Sequence, residues 1–281
     1  MALMKMRMPL RPSLLTACLL LAAATAHAQA ARIANLPAQA SQGAMVIGHS
    51  VPNADVRVSG RKLSVDAHGR FVFGIGRDEK GPVTVRIQPP GAAAQTSHIR
   101  ITARDWPIQR INGVPPATVN PPPAIAQRIA RENGRIVAAR RDDSANSDFA
   151  QAFIWPLKGR ISGRFGNQRV FNGTPKSPHS GMDIAAAQGT PIRAPAGGRI
   201  TLAEKDFYLT GGTVMIDHGH GISSNFLHMS RLDVKVGDVV KQGDVVGAVG
   251  STGRSTGPHL HWGMTWFDTR IDPLLVLDGA K

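Results

Sequence analysis

Val234-Lys-Val-Gly-Asp-Val-Val-Lys-Gln-Gly-Asp-Val-Val-Gly-Ala-Val249 alternates short runs rich in valine with the steps Gly237-Asp238 and Gly243-Asp244. β-Branched residues favour extended backbone, and Gly-Asp steps reverse it, so the stretch reads as successive strand–turn–strand segments. Upstream, Gly212-Thr-Val-Met-Ile-Asp217 reads as a further strand. Short strands and glycine turns dominate from Phe153 onward, which predicts a β domain over residues 151–281.

Biotinyl and lipoyl carrier domains show a similar repetition, but a carrier needs its modified lysine at a hairpin tip. The only Met-Lys-Met is residues 4–6, at the basic N-terminus, so that reading fails. Downstream, the loop Gly250-Ser-Thr-Gly-Arg-Ser-Thr-Gly-Pro258 leads into His259-Leu-His261-Trp262. Residues i and i+2 of a strand face one side, so His259 and His261 point into one site. About 75 residues earlier, His179-Ser-Gly-Met-Asp183 supplies another imidazole and a carboxylate. Imidazole and carboxylate suit a divalent zinc ion, and a catalytic zinc takes three protein ligands plus water. A metal hydrolase site built from His179, Asp183, His259 and His261 is therefore expected, with His228 in Asn225-Phe-Leu-His-Met-Ser230 a fifth candidate. His218-Gly-His220 has the same form, but Gly219 and Gly221 bracket it in a turn and strand alternation is lost there.

The ends and the charge narrow the setting. Lys5, Arg7 and Arg11 precede an apolar run, Leu14 to Ala24, and Ala26-His27-Ala28 fits a small-x-small cleavage site, so residues 1–28 read as a signal peptide. The apolar run is too short for a span of about 20 residues. Leu15-Thr16-Ala17-Cys18 offers the alternative of lipidation at Cys18. Cleavage after Ala28 removes the only cysteine and three basic residues, lowering the formal charge from +14 to +11. A cationic exported protein implies an anionic partner such as a membrane surface or a cell-wall polymer. Aromatic residues are too scarce for a nucleic-acid stacking platform.

Residues 31–105 read as a smaller N-terminal β-sandwich. Ala54–Ser59, Arg70–Gly74, Pro82–Ile87 and Thr96–Thr102 alternate, with turns at Asp66-Ala-His-Gly69 and Gln88-Pro-Pro-Gly91. His49, His68 and His98 are isolated there and read as ordinary positions. Residues 106–150 read as a Pro-rich connector whose helix, Ala124 to Arg141, carries Ile125, Ile129, Ile136 and Val137 on one side and arginines elsewhere. It reads either as a solvated link or as an element leaning over the C-terminal site.

Several stretches together resemble the lysostaphin and LytM type of zinc metallopeptidase. They are Gly163-Arg-Phe-Gly166, His179-Ser-Gly-Met-Asp-Ile-Ala-Ala, Gly189-Thr-Pro-Ile-Arg-Ala-Pro195, Ile216-Asp-His-Gly219, Phe226-Leu-His-Met-Ser230, Val236–Gly243 and Gly250–His261. The likeness covers about 120 residues in the family's order. The sandwich, the connector and Trp266-Phe-Asp-Thr-Arg270 also resemble a bacterial envelope subgroup with an added N-terminal β domain. The resemblance implies a mostly β protein whose C-terminal domain is a LytM-like sandwich or barrel with a duplicated hybrid motif. It further implies one Zn2+ held by His179, Asp183 and His261, with water completing the tetrahedron, and two catalytic histidines, His228 and His259.

The implied activity is hydrolysis of peptide cross-links in peptidoglycan, in the periplasm or envelope of a Gram-negative cell, with the D-alanyl to diaminopimelyl bond suggested. Ile222 and Trp262-Gly263 depart from the family pattern; the first would reshape a substrate groove, and neither removes a ligand. Competing readings are a non-catalytic peptidoglycan-binding protein or activator of another wall hydrolase, and a metallopeptidase acting on secreted proteins. Family members of the non-catalytic kind have lost zinc ligands, whereas all three and both catalytic histidines are present here.

Overall fold

The computed structural model describes residues 35–113 and 121–277. The signal-peptide reading and Pro115-Pro116 fall outside them. The chain is mostly β. Its front part holds β1 (Gln39–Ser41), β2 (Met45–His49), β3 (Asp55–Val58), β4 (Arg61–Leu63), β5 (Arg70–Gly74), β6 (Val83–Gln88) and β7 (Gln95–Thr102). One sheet runs β1-β7-β6-β3-β4, and β2 pairs with β5. Alternation sends Val56, Val58, Val83, Val85, Ile87 and Ile99 into the interior opposite Phe71 and Phe73. The turn before β5 is set by Asp66, whose Oδ1 accepts the backbone N–H groups of His68 (2.9 Å) and Arg70 (2.8 Å).

Beyond β7 the chain forms β8 (Ile108–Ile111) and then α1 (Pro123–Arg140). Pro123 opens the helix, where a missing N–H costs nothing. Ile136 and Ala139 pack on Leu202, Phe207 and Met215. Arg135 pairs with Glu204, and Arg128 pairs with Asp206 and Glu132. The basic helix is thus clamped along a strand rather than solvated on all sides. No helix of the described residues is long and apolar enough to cross a membrane.

The remainder holds β9 (Arg160–Gly163), β10 (Gln168–Phe171), β11 (Thr174–Pro175), β12 (Gly181–Ala185), β13 (Pro191–Arg193), β14 (Gly198–Phe207) and β15 (Gly211–Gly219). It continues through β16 (Ile222–Met229), β17 (Arg231–Leu232), β18 (Val239–Val240), β19 (Val245–Ala248), β20 (His259–Trp266) and β21 (Thr269–Ile271). The large sheet is ordered β18-β14-β15-β16-β20-β12-β9, with β21 on β20, and a small sheet is ordered β13-β19-β17. Every residue of β15 is buried, because both faces of the large sheet are covered. Gly237-Asp238 and Gly243-Asp244 are turns: both glycines have positive φ, and each aspartate accepts the N–H three residues earlier.

A third sheet, β11-β10-β8, joins connector to C-terminal part: β8 runs parallel to β10, Gln109 opposite Arg169. The front sandwich also packs directly on the large sheet. Phe73 meets Trp266 edge to face at 6.5 Å, Arg61 lies 3.7 Å over the Phe267 ring, and Arg104 pairs with Asp272 at 2.8 Å.

Candidate metal centre

The site is assembled on β12 and β20, neighbours in the large sheet. Their antiparallel register sets Asp183 opposite His261 and Ala185 opposite His259, so cross-strand partners and i, i+2 residues share one face. His179 arrives from the loop before β12. Its Nε2 lies 3.0 Å from Asp183 Oδ1 and 3.0 Å from His261 Nδ1, while His261 Nδ1 lies 2.8 Å from the same carboxylate oxygen. His179, Asp183 and His261 form the cluster of possible ligands found among the described residues.

The protonation pattern follows from the partners, since a backbone carbonyl only accepts. His179 Nδ1–H donates to the Arg164 carbonyl (2.9 Å), His228 Nδ1–H to that of Thr252 (2.8 Å), and His259 Nδ1–H to that of Gly257 (2.8 Å). In its neutral form each therefore keeps a lone pair at Nε2. His261 is reversed: its Nδ1 faces the cluster, and its buried Nε2 has no partner among the described residues. Glycine makes the crowding possible. A Cβ on Gly163 would stand 2.4 Å from Asp183 Oδ2, and one on Gly181 would stand 2.8 Å from His261 Nε2.

His228 reaches the site by a break in its strand. Leu227, not His228, lies opposite His261, so a regular strand would turn His228 to the other face. His228 instead adopts φ 64°, and its ring comes to 4.8 Å from that of His259 and 6.4 Å from that of His261. Such a left-handed residue costs about 1–3 kcal/mol, and the hydrogen bonds of its N–H to Thr210 (2.8 Å) and of its ring to Thr252 hold it there.

Electrostatics fit a cation. Burial pushes the Asp183 carboxyl up, but the imidazoles of His179 and His261 packed against it outweigh that and hold the group well below the usual carboxylate range. Burial pushes His261 down to about 3 and His228 down to about 4, so both imidazoles are neutral at pH 7. Two imidazole nitrogens and one carboxylate oxygen match the donor set of a catalytic zinc. The three atoms, 2.8–3.0 Å apart, approach the roughly 3.3 Å edge of a tetrahedron with bonds of about 2.0–2.1 Å.

The other histidines lie elsewhere. His218 is buried, bonded to the Gly197 carbonyl (2.6 Å) and Ser224 Oγ (2.8 Å), and His220 stacks on Phe149 at 4.7 Å. His98 pairs with Thr84 in the front sandwich. Ile222 is fully buried in β16, so it reshapes no groove. Arg169 is the residue sequence reasoning missed: its Nη2 meets Asp183 Oδ2 at 3.2 Å. A single arginine in a short strand carries no signal of that contact.

A crystal structure from Pseudomonas aeruginosa assigned to peptidase M23 is 31% identical, with a TM-score of 0.66, over 86% of this chain and 96% of that one. The model of peptidase family M23 matches residues 177–273, which hold His179, Asp183, His228, His259 and His261. The chain belongs to peptidase family M23. Among curated M23 relatives, it is 51% identical over 99 residues to the DD-carboxypeptidase/endopeptidase Mpg of Neisseria meningitidis, covering 35% of this chain. It is 39% identical over 124 residues to the peptidoglycan DD-endopeptidase ShyA of Vibrio cholerae, covering 44% of this chain. The chain spans less than a third of the length of these curated relatives, 22% of Mpg and 28% of ShyA.

Proposed function

We propose that this M23 protein is an exported zinc endopeptidase that hydrolyses peptide cross-links of peptidoglycan in a Gram-negative envelope, at the D-alanyl to diaminopimelyl bond. The observation that carries the reading is the convergence of Nε2 of His179, Oδ1 of Asp183 and Nδ1 of His261, with two further imidazoles beside them. The likeness to Mpg and ShyA supports the substrate class. In this reading residues 1–28 are removed, residues 31–105 and 151–281 are separate β domains, and 106–150 connect them.

His179, Asp183 and His261 would hold the ion. When bound, it supplies a Lewis acid that polarises the scissile carbonyl and lowers the pKa of a water to about 7. The Nε2 of His259, 3.9 Å from Asp183 Oδ1, takes the proton of the attacking water and returns it to the leaving amine. His228 serves the transition-state oxygen; its resting Nε2 is an acceptor, so it donates only as the imidazolium, taking a proton from solvent as the oxyanion develops and returning it when the carbonyl re-forms. The carbonyls of Gly257 and Thr252 keep both rings aimed through the cycle.

The test is digestion of purified sacculi by residues 29–281 loaded with zinc, with muropeptides identified by mass and a His261→Ala protein and a chelator as controls. Cross-linked dimers should fall to monomers only with intact, zinc-loaded protein. A folded, zinc-loaded protein that leaves dimers untouched would remove the hydrolase reading in favour of a wall-binding role.

A further inference from the structure

A cavity of about 910 Å³ opens beside His179, walled by the front sandwich, by α1 at Asn133 and by the C-terminal part. Its lining is cationic. Arg169, Lys176, Arg254 and Arg270 face it, while Asp78 and Glu79 stand exposed at the rim, where Asp78 pairs with Arg77. Two of the guanidinium groups carry buried nitrogens with no hydrogen-bond partner among the described residues: Nε of Arg169 and Nη1 of Arg270. Burying a guanidinium charge is costly, and an anion in the cavity beside it offsets that cost. Burial, with the neighbouring charge of Arg140, pushes Arg270 down to about 9, and Asp268 offsets this only in part. The group stays cationic at physiological pH. Nothing in the metal chemistry uses these charges except the contact of Arg169 with Asp183.

We propose that this cavity binds the carboxylates of the peptide that leaves as the amine, with Arg169 nearest the cluster and Arg254 and Arg270 farther along. The inference rests on the cross-link reading above. A diaminopimelyl residue on the amine side carries a carboxylate on the carbon bonded to the scissile nitrogen, within about 4 Å of the reacting atoms. Arg169, in contact with the Asp183 carboxylate at 3.2 Å, stands directly beside the cluster where that carboxylate would enter. Guanidinium is suited to this role because its planar fork matches a carboxylate with two parallel hydrogen bonds.

The probe is a short diaminopimelyl peptide standing for the released amine, as the free acid and with its carboxyls amidated, titrated calorimetrically into the zinc-loaded chain. Cross-link mimics in the same two forms give kcat and KM in parallel. The acid should bind about 10–100-fold tighter than the amide, the range that charge-assisted hydrogen bonds support. Arg270→Gln and Arg254→Gln should each lower that preference through KM with kcat little changed, the share held by Arg169 remaining, and Arg270→Lys should keep part of what Arg270→Gln loses. Equal binding of acid and amide, binding of neither, or an undiminished preference in both glutamine variants overturns the inference. Cleavage of both mimics without an acid preference would overturn this site alone and leave the hydrolase standing. An acid preference in binding without any cleavage would keep the site and remove the hydrolase.

Discussion

Replacing Gly163 by alanine tests whether the close approach of β9 to the cluster matters. Gly163 has no positive φ, so the backbone accepts alanine, and loss of glycine freedom in the unfolded chain favours the variant by about 0.4–1 kcal/mol. Against this, the new methyl would lie 2.4 Å from Asp183 Oδ2 and 3.0 Å from His179 Cε1. Asp183 cannot swing away freely, because Oδ2 holds Arg169 at 3.2 Å and Oδ1 holds His179 and His261 at 3.0 and 2.8 Å. Overpacking of this kind costs about 1–3 kcal/mol, leaving a net loss of roughly 1–2 kcal/mol. That corresponds to a Tm lower by a few degrees for a chain of this size. The larger effect falls on the metal, since displacing groups that orient ligands weakens affinity about 10–100-fold. Competition with a chromophoric chelator measures it directly. A Gly163→Ala protein that binds zinc as tightly as the parent would refute the claim that this glycine exists to admit the carboxylate.

Single His228→Ala and His259→Ala proteins should retain zinc, by elemental analysis, yet lose about 10²–10⁴-fold in kcat; full activity in either would remove that histidine from the chemistry. His218, driven down to about 4 by burial, is neutral when folded and titrates near 6.5 when unfolded. Its contribution is therefore complete above pH 6.5 and lost as pH falls towards 4, reaching roughly 3 kcal/mol. Urea melts at pH 7 and 4.5 should show this fall, and a His218→Gln protein should show a shallower one. Arg61→Ala, which removes the cation over Phe267 and Trp266, should cost about 0.5–1 kcal/mol and lower Tm by a few degrees without changing zinc affinity.

The strands from Arg70 to Thr102 and the Gly-Asp turns after Val236 were legible because their signals are local: alternation, β-branching and glycine at positive φ. The pairing of His259 with His261 was legible for the same reason, a period of two. Nothing local announces that Gln109 will lie opposite Arg169, since a parallel pair formed across some 60 residues depends on the whole packing. The left-handed turn at His228 was equally hidden, because strand periodicity sends that ring the other way. Resemblance, rather than pattern, singled out His228. Arg169 escaped both, its meaning resting on a neighbour 14 residues away in a different strand.

The parallel alignment of β8 with β10 has a consequence for anyone recombining this chain with its relatives. The strand that steadies Arg169 belongs, by chain order, to the connector rather than to the β-rich C-terminal part. A chimera joined after residue 150 would import a foreign β8 against a native β10, or leave that edge bare and open to other chains. The natural crossover points lie before β1 or between β7 and β8, so that β8 and β10 come from the same parent. Heredity here is carried by a pair of strands, not by either half of the chain.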